Sequence, residues 1–207
     1  MATTIINHPL ITHKLTIMRK KETGNKEFCE NIKEITELAA YVVTANLPVK
    51  EVEIDTPLTT MKTTVLAKDI ILVPILRAGL GFVEGMKAVI PTASVGHIGM
   101  KRDEDTLIAH EYYANFPGNL SEATVIVLDP MLATGSSSTQ AIKNIKERGA
   151  KDIKFLSLVA APEGIKVIEK DHPDVDLYVC AVDEKLNEKG YIVPGLRDAG
   201  DRIFGTE

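Results

Sequence analysis

Long apolar runs of strand length occur at several places in the chain. Residues 69–76 read Asp-Ile-Ile-Leu-Val-Pro-Ile-Leu, and residues 124–128 read Thr-Val-Ile-Val-Leu. Runs of this kind are typical of parallel strands that are covered on both faces. Residues 94–100, 153–161 and 176–182 predict further strands on the same grounds.

Helical spacing marks the segments between these runs. Apolar residues recur every three or four positions in 25–46, and the same pattern occupies 82–89, the stretch that closes at Gly149, and 164–172. Strands that alternate with amphipathic helices favour an α/β fold, with a mostly parallel sheet and helices on both of its faces. Ligands of such sheets bind beyond the carboxyl ends of the strands.

Three segments do not follow this alternation. Val52 and Ile54 alternate with acidic residues at 51, 53 and 55, which predicts a half-exposed strand that ends before Pro57. We expect this strand to pair with residues 59–66. A polar stretch that contains His8, Pro9 and His13 precedes the long helix, and we expect a helical arm of about residues 1–48. The last 25 residues are rich in turn formers. There we expect no regular helix or long strand, only an ordered hood loop of about residues 184–207.

Composition limits the possible classes of protein. With 207 residues, 44% of them hydrophobic and 26% charged, the chain predicts a single domain over 1–207. A net charge of −5 favours neither a nucleic-acid nor a membrane partner. Cys29 and Cys180 lack the spacing of metal ligands, and no apolar run approaches the roughly 20 residues of a membrane span. We therefore expect a soluble, cytoplasmic protein.

One stretch combines an acid with a candidate phosphate site. Residues 129–138 read Asp-Pro-Met-Leu-Ala-Thr-Gly-Ser-Ser-Ser, so that an acid at a strand end is followed by hydroxyls around Gly135 and then by a helix. Free N–H groups and the positive end of the helix dipole bind phosphate at such a helix start. On this stretch alone, an ordinary capped helix explains the pattern equally well.

Two further segments could supply cations to the same ligand. Arg77 follows the strand at 69–76 and is followed by small residues, and its planar donor fork suits phosphate oxygens. A surface Arg beside a turn is the alternative. Residues 101–105 form a charged turn before a second extended segment at 106–116, which predicts an exposed hairpin tip. Such a tip is typical of an active-site lid, or of a solvated loop.

Several enzyme classes are excluded by their missing motifs. The sequence has no G-x-x-x-x-G-K-[ST], no G-x-G-x-x-G after a first strand, no G-x-S-x-G and no zinc-binding cluster. A phosphate cradle, a neighbouring acid, two separated arginines and a covering loop remain. This set suits a sugar phosphate that carries a second, highly charged group.

The chain resembles the uracil phosphoribosyltransferase family, within the type I phosphoribosyltransferases, in five collinear blocks that extend over nearly its whole length. The blocks are Pro74-Ile-Leu-Arg-Ala-Gly-Leu-Gly81, His97-Ile-Gly with Arg102-Asp103, Glu111-Tyr-Tyr113, Asp129-Pro-Met-Leu-Ala-Thr-Gly-Ser136, and Gly190-Tyr-Ile-Val-Pro-Gly with Asp198-Ala-Gly-Asp-Arg-Ile-Phe-Gly205. The resemblance implies the type I phosphoribosyltransferase fold, with a β-hairpin lid and a C-terminal hood loop.

The resemblance also implies a reaction. Members of the family transfer the phosphoribosyl group of 5-phosphoribosyl 1-diphosphate (PRPP) to uracil, giving UMP and pyrophosphate, with Mg²⁺ accompanying the diphosphate. They are usually homodimers or higher homo-oligomers, and GTP is a possible activator. Two alternatives remain: the same transfer to another base, and a non-catalytic nucleotide sensor or RNA-binding regulator on this fold.

Site residues follow from the resemblance by position. Four are implied to act in catalysis: Arg77, Arg102, Asp129 and Asp198. The implied PRPP-binding residues are Arg77, Arg102, Asp129, Pro130, Met131, Leu132, Ala133, Thr134, Gly135, Ser136, Ser137 and Asp198. The implied uracil-binding residues are Ile192, Arg197, Asp198 and Ala199. No residue is implied to ligate the metal directly.

Three positions depart from the family pattern. Arg197 stands where a Gly is usual, and a positive φ there would cost roughly 1 kcal/mol or more with Arg. Ser136 replaces a common Gly and could add a hydroxyl to the cradle. Lys101 replaces a frequent Tyr and adds charge to the hairpin. Of the three, Arg197 bears most directly on the choice of base.

Overall fold

The computed structural model describes residues 3–102 and 109–206, and of Arg102 it describes the backbone only. The strands are β1 (Thr3–Ile5), β2 (Val49–Asp55), β3 (Thr60–Leu66), β4 (Ile70–Leu76), β5 (Ser94–Val95), β6 (His97–Arg102), β7 (Ala109–Asn115), β8 (Thr124–Leu128), β9 (Met131–Leu132), β10 (Asp152–Ala160), β11 (Asp176–Val182), β12 (Lys185–Leu186) and β13 (Ile192–Val193). The helices are α1 (Pro9–Arg19), α2 (Asn25–Val43), α3 (Val83–Val89), α4 (Ser136–Glu147), α5 (Pro162–Asp171) and α6 (Ala199–Phe204), with a 3-10 turn at Ala78–Phe82 before α3.

The main sheet is mostly parallel, as the sequence predicts. Its strands follow the order β1-β11-β10-β8-β4-β6-β7, while β5 pairs with β4 and β9 pairs with β10. Pairing along this path is parallel up to β6, and β6–β7 is an antiparallel hairpin. Strands β2–β3 and β12–β13 form two separate antiparallel pairs. The parallel strands therefore end at one common edge.

Helices cover both faces of this sheet. Alternate residues of the buried strands point in opposite directions. Leu72 and Ile126 belong to the core that includes α1, α2 and α6. Val73 and Val127 belong to the core that includes α4 and α5. Full burial of such side chains stabilises the fold by about 1.5–3 kcal/mol each, which explains why β4 and β8 are apolar throughout.

The start of the chain contains a strand and a helix that were not predicted separately from the sequence. Strand β1 pairs in parallel with β11, and α1 begins at Pro9, behind His8, whose Nδ1 accepts a hydrogen bond from the Leu10 N–H at 3.2 Å. Buried residues of α1 are Ile11, Leu15 and Met18. Their i, i+4, i+7 spacing, with polar residues at all the positions between them except one, is that of an amphipathic helix, so α1 was predictable from the sequence.

The expectation that the hood contains no regular helix is wrong. Residues Ala199–Phe204 form the short helix α6. Asp198 caps it, since its Oδ1 accepts from the Asp201 N–H at 3.0 Å, and Gly205 ends it with a φ of 62°. An Asp at the N-cap and a Gly after the last turn are standard helix limits. The helix is too short to show a periodic apolar pattern, which is why turn residues dominated the prediction.

Candidate active site

Two site residues predicted from the sequence lie at the ends of neighbouring strands. β4 and β8 pair in parallel, with Pro74 opposite Leu128. Arg77 directly follows β4, and Asp129 directly follows β8. The carboxyl ends of adjacent parallel strands thus bring the cation and the acid to the same edge of the sheet.

The loop after β8 surrounds a cavity of about 260 Å³. Its walls come from Asp129, Met131, residues 133–138, and Gly190 of the hood. Gly135 is the N-cap of α4 with a φ of 79°, and the first bond within the helix runs from the Thr139 N–H to the Gly135 carbonyl at 2.8 Å. The N–H groups of the first turn come before that bond and have no backbone acceptor within the helix. Gly135 has no side chain that could cover them. This geometry suits an anion, and we refer to the loop and its cavity as the cradle.

The cradle loop packs closely on the start of α5. A Cβ on Gly164 would lie 2.4 Å from the Ala133 carbonyl oxygen and 2.8 Å from that of Leu132. Only a Gly fits at this distance, because both neighbours are backbone atoms. This contact fixes the height of the loop above the sheet, and the sequence prediction did not include it.

Asp129 lines the cradle; the residue as a whole is half-buried, and its carboxyl group is buried. Its Oδ1 accepts from the Met131 N–H at 3.3 Å, and its Oδ2 accepts from the Ser138 hydroxyl at 3.4 Å. Burial raises the pKa of the Asp129 carboxyl to about 7; the two hydrogen bonds oppose the rise, and the charge of Asp198 adds to it. An acceptor whose pKa lies near neutrality is typical of a functional site rather than of a structural one.

The Arg77 side chain contacts α6. Its Nη2 forms an ion pair with Asp201 Oδ1 at 3.2 Å, and its guanidinium carbon lies 5.8 Å from the centroid of the Phe204 ring. The Leu76–Arg77 peptide is cis. Because 54% of the Arg77 side chain is exposed, a phosphate group could replace Asp201 as its partner at little cost.

The hood brings the remaining predicted residues to the same edge. Ile192 and Ala199 are buried, the Val193–Pro194 bond is cis, and Asp198 caps α6. Asp198 is also near enough to Asp129 to raise the pKa of that carboxyl. The hood and the cradle thus meet, with Gly190 lining the cradle cavity.

Arg197 has a left-handed backbone. Its φ is 63°, and no other non-Gly residue in the described part of the chain has a positive φ. The side chain is exposed, and its charge lowers the pKa of Arg202 in addition to the larger effect of desolvation on that group. The backbone geometry on which the predicted energetic penalty depends is therefore present.

Two residues that fasten the hood were missed in the sequence. Asp183 lies just after β11 and is 8% exposed. Its two carboxylate oxygens accept from Arg19 Nη1 and Nη2 at 2.8 and 2.6 Å, and Oδ2 also accepts from the Gly195 N–H at 2.8 Å. Arg19 in turn donates to the Gly195 carbonyl at 3.0 Å. Asp183 was discoverable, since it stands at a strand end like Asp129, but its partner Arg19 belongs to the helix that was not predicted.

Other predicted features are only partly within the described residues. Arg102 is the last residue of β6, and its side chain lies outside them, as do residues 103–105 of the predicted hairpin tip at 101–105. Ser136 lines the cradle, and Lys101 is exposed opposite His110. No group of three or more His, Cys, Asp or Glu able to hold a metal occurs among residues 3–102 and 109–206. None of the helices described is both long and apolar enough to cross a bilayer.

Comparisons with known proteins point to one family. The family model described as "Uracil phosphoribosyltransferase" matches residues 5–206. A uracil phosphoribosyltransferase of Lysinibacillus sphaericus is 56% identical over 204 residues, which cover 98% of each chain. One of Malacoplasma penetrans is 58% identical over 205 residues, which cover 99% of this chain and all of the other.

Solved structures agree on the fold. The AQ2163 protein of Aquifex aeolicus superposes with a TM-score of 0.92 at 39% identity, over 100% of this chain and 99% of that one. A hypoxanthine-guanine phosphoribosyltransferase of Bacillus anthracis reaches a TM-score of 0.53 at 16% identity, over 77% of this chain and 80% of that one. At that identity the second likeness concerns the fold alone.

Proposed function

The chain belongs to the uracil phosphoribosyltransferase family, and from this premise we propose that it transfers the phosphoribosyl group of PRPP to uracil, giving UMP and pyrophosphate. The bond from ribose C1′ to the diphosphate breaks while a bond from C1′ to uracil N1 forms, and the N1 proton is released. The observation that carries the proposal is the meeting of an anion cradle, an acid and the hood at one sheet edge.

The cradle suits the 5′-phosphate of PRPP. The N–H groups and hydroxyls of residues 134–137, together with the dipole of α4, hold the dianion. Asp129 accepts from the ribose hydroxyls at the strand end. The loop therefore fixes the sugar, and no side chain needs to act as a covalent nucleophile.

The leaving diphosphate needs cations, which Arg77 and Arg102 supply. Negative charge grows on the pyrophosphate as the C1′–O bond breaks, so donors already aimed at it lower the barrier. The carboxylate oxygens of Asp129 and Asp198 suit the hydration shell of a Mg²⁺ that is otherwise held by substrate phosphates. That Mg²⁺ would neutralise part of the diphosphate charge. The β6–β7 hairpin, in which β6 ends at Arg102, excludes water from the reacting centre.

Uracil fits against the hood. Backbone N–H and C=O groups of Ile192 and of residues 197–199 read its polar edge, because a pyrimidine presents adjacent donors and acceptors that main-chain groups can match. Asp198 stands between this position and the PRPP site. Main-chain recognition makes the base choice depend on the hood's backbone path more than on its side chains.

Pyrophosphate release tests the proposal directly. The purified chain incubated with PRPP, Mg²⁺ and uracil is expected to form UMP and pyrophosphate in equal amounts, and EDTA is expected to stop the reaction. Adenine, guanine and hypoxanthine serve as control bases. Turnover with a purine and none with uracil would contradict the proposal.

A second candidate function, transfer to another base, rests on Arg197, which stands at a left-handed position where the family usually has Gly. Arg197→Gly is expected to raise the free energy of unfolding by about 1 kcal/mol, because Gly adopts a φ of 63° without steric cost. Urea unfolding measures this, with Arg197→Ala as the matched control that keeps the cost and removes the side chain. If kcat/KM for uracil rises in Arg197→Gly and not in Arg197→Ala, the backbone and not the side chain limits the reaction, and uracil remains the substrate. A large loss for uracil in both variants, with a gain for another base in neither, excludes the second candidate.

Further properties of the family extend the proposal to the assembly. The β2–β3 hairpin exposes large apolar side chains, among them Val49, Ile54, Leu58 and Met61, which suits burial between two copies of the chain. We propose a homodimer or higher homo-oligomer, checked by light scattering. We also propose that residues 1–207 form one domain. We propose that GTP activates the reaction, which is tested by adding GTP to the uracil assay. A cytoplasmic location is proposed as well and is tested by cell fractionation.

A further inference from the structure

Glu111 ties the β6–β7 hairpin to the helix that follows the cradle. Its Oε2 accepts from Asn144 Nδ2 at 2.8 Å, and its Oε1 accepts from Arg148 Nη2 at 2.6 Å. Asn144 lies in α4 and Arg148 is the C-cap of that helix. Both carboxylate oxygens of a β7 residue are therefore used on α4.

The same contact is reinforced on the helix side. Gln140 Nε2 donates to Asn144 Oδ1 at 2.7 Å, and Arg148 Nη1 donates to the Asn144 carbonyl at 2.9 Å. The Arg148 guanidinium lies 5.6 Å from the centroid of the Phe116 ring, just beyond β7. Asn144 is only 8% exposed, so its bonds are shielded from water, whereas the pair of Arg148 with Glu111 is partly exposed.

The network connects the two ends of the proposed PRPP site. Helix α4 starts at Ser136 in the cradle, and Asn144 lies eight residues, or about 12 Å, further along this rigid element. On the other side, Glu111 stands opposite Met100, two residues before the end of β6 at Arg102. A shift of β7 relative to α4 would therefore change the distance between the cradle and the end of β6.

We propose that Glu111 is a positioning residue, which sets the spacing between the 5′-phosphate cradle and the end of β6 through Asn144 and Arg148. This inference rests on the proposed function. A ligand that occupies only the cradle needs no such spacing. PRPP needs this spacing, because its 5′-phosphate and its diphosphate must be held at the same time.

Calorimetric binding of two ligands, PRPP with Mg²⁺ and ribose 5-phosphate, tests the inference. Glu111→Gln keeps the shape of the side chain but turns one acceptor into an NH₂ group that faces a donor. We expect its Kd for PRPP to rise about tenfold and its Kd for ribose 5-phosphate to stay within twofold. In the uracil assay, KM for PRPP rises while KM for uracil does not. Arg148→Met removes the same contact from the exposed side and shows the same split.

Asp174→Asn is the matched control. It breaks the ion pair between Asp174 and Lys146 of α4, which is also 2.6 Å long and lies on the side of the helix away from β7. It is expected to change neither Kd. If Glu111→Gln and Arg148→Met raise the Kd of both ligands equally, the network merely supports α4. If neither Kd changes, the spacing is irrelevant. Either result overturns the inference. If the unaltered chain binds ribose 5-phosphate but no PRPP, the proposed function itself fails.

Discussion

Asp129→Asn is expected to lower kcat/KM for PRPP roughly 100-fold and to raise the stability of the free protein at the same time. The loss arises because the variant cannot accept two charge-assisted hydrogen bonds from the ribose, at about 1.5 kcal/mol each. The gain arises because the carboxylate is buried at a price in free energy that an amide avoids. Asn can still accept from the Met131 N–H, and the Ser138 hydroxyl can turn to accept from its NH₂.

The sign of the stability effect follows from the pKa of Asp129. Burial raises it to about 7 from an ordinary value of 3.8, so between these pH values the folded state binds more protons than the unfolded state. Stability therefore falls as pH rises from about 4 to about 7, by at most about 4 kcal/mol. Asp129→Asn removes this fall, and its gain in melting temperature should be larger at pH 8 than at pH 5.

The pH dependence of activity gives an independent check. In the unaltered chain, kcat/KM for PRPP should rise with pH through about 7, as the Asp129 carboxyl loses its proton. This limb should be absent in Asp129→Asn. Asp152→Asn is the control, because Asp152 pairs with Lys68 at the opposite end of the sheet. Full activity of Asp129→Asn, or a lower melting temperature at pH 8, would remove Asp129 from its proposed role.

The cradle was predictable because local sequence determines it. A fully buried strand has to be apolar, so the first acid after β8 marks the end of the strand, and parallel strands end together. Gly135 and the hydroxyls after it encode a helix start without knowledge of the rest of the fold. The same reasoning placed Arg77 at the neighbouring strand end.

The contacts that hold the site together were not predictable in the same way. Arg19 and Asp183 are 164 residues apart, and Glu111 and Asn144 are 33 apart. A surface Arg or Glu looks alike in sequence whether it is paired or solvated, since pairing depends on which helix packs beside which strand. The missed helix α1 shows the cost directly, because without it Asp183 has no visible partner.

Arg197 falls between these cases. The sequence identified the residue and stated the condition under which it matters, a positive φ. Only the structure supplies that φ, because the backbone path of the hood depends on the turn around Gly195 and on the cap of α6 by Asp198. The proposed effect of Arg197 on the choice of base therefore rests on tertiary geometry, at a position that the sequence had already indicated.

Asp183→Ala is expected to lower the free energy of unfolding by about 3 kcal/mol and to raise KM for uracil about tenfold, with KM for PRPP changed less than twofold. The stability loss arises because the Gly195 N–H keeps no acceptor and Arg19 keeps only the Gly195 carbonyl, in a largely buried place. The KM effect arises because Gly195 lies in the hood between Ile192 and Arg197. Urea unfolding and steady-state kinetics with each substrate varied in turn measure the two effects.

The double variant Arg19→Met/Asp183→Leu separates stability from the positioning of the hood. Replacing a buried ion pair by apolar side chains of similar volume leaves no unpaired charge, so much of the stability should return. The Gly195 N–H still lacks its acceptor, and KM for uracil should therefore stay high. Recovery of both quantities together would mean that Asp183 affects uracil binding through stability alone. A rise in KM for PRPP equal to that for uracil would place the effect on the whole sheet edge and not on the hood.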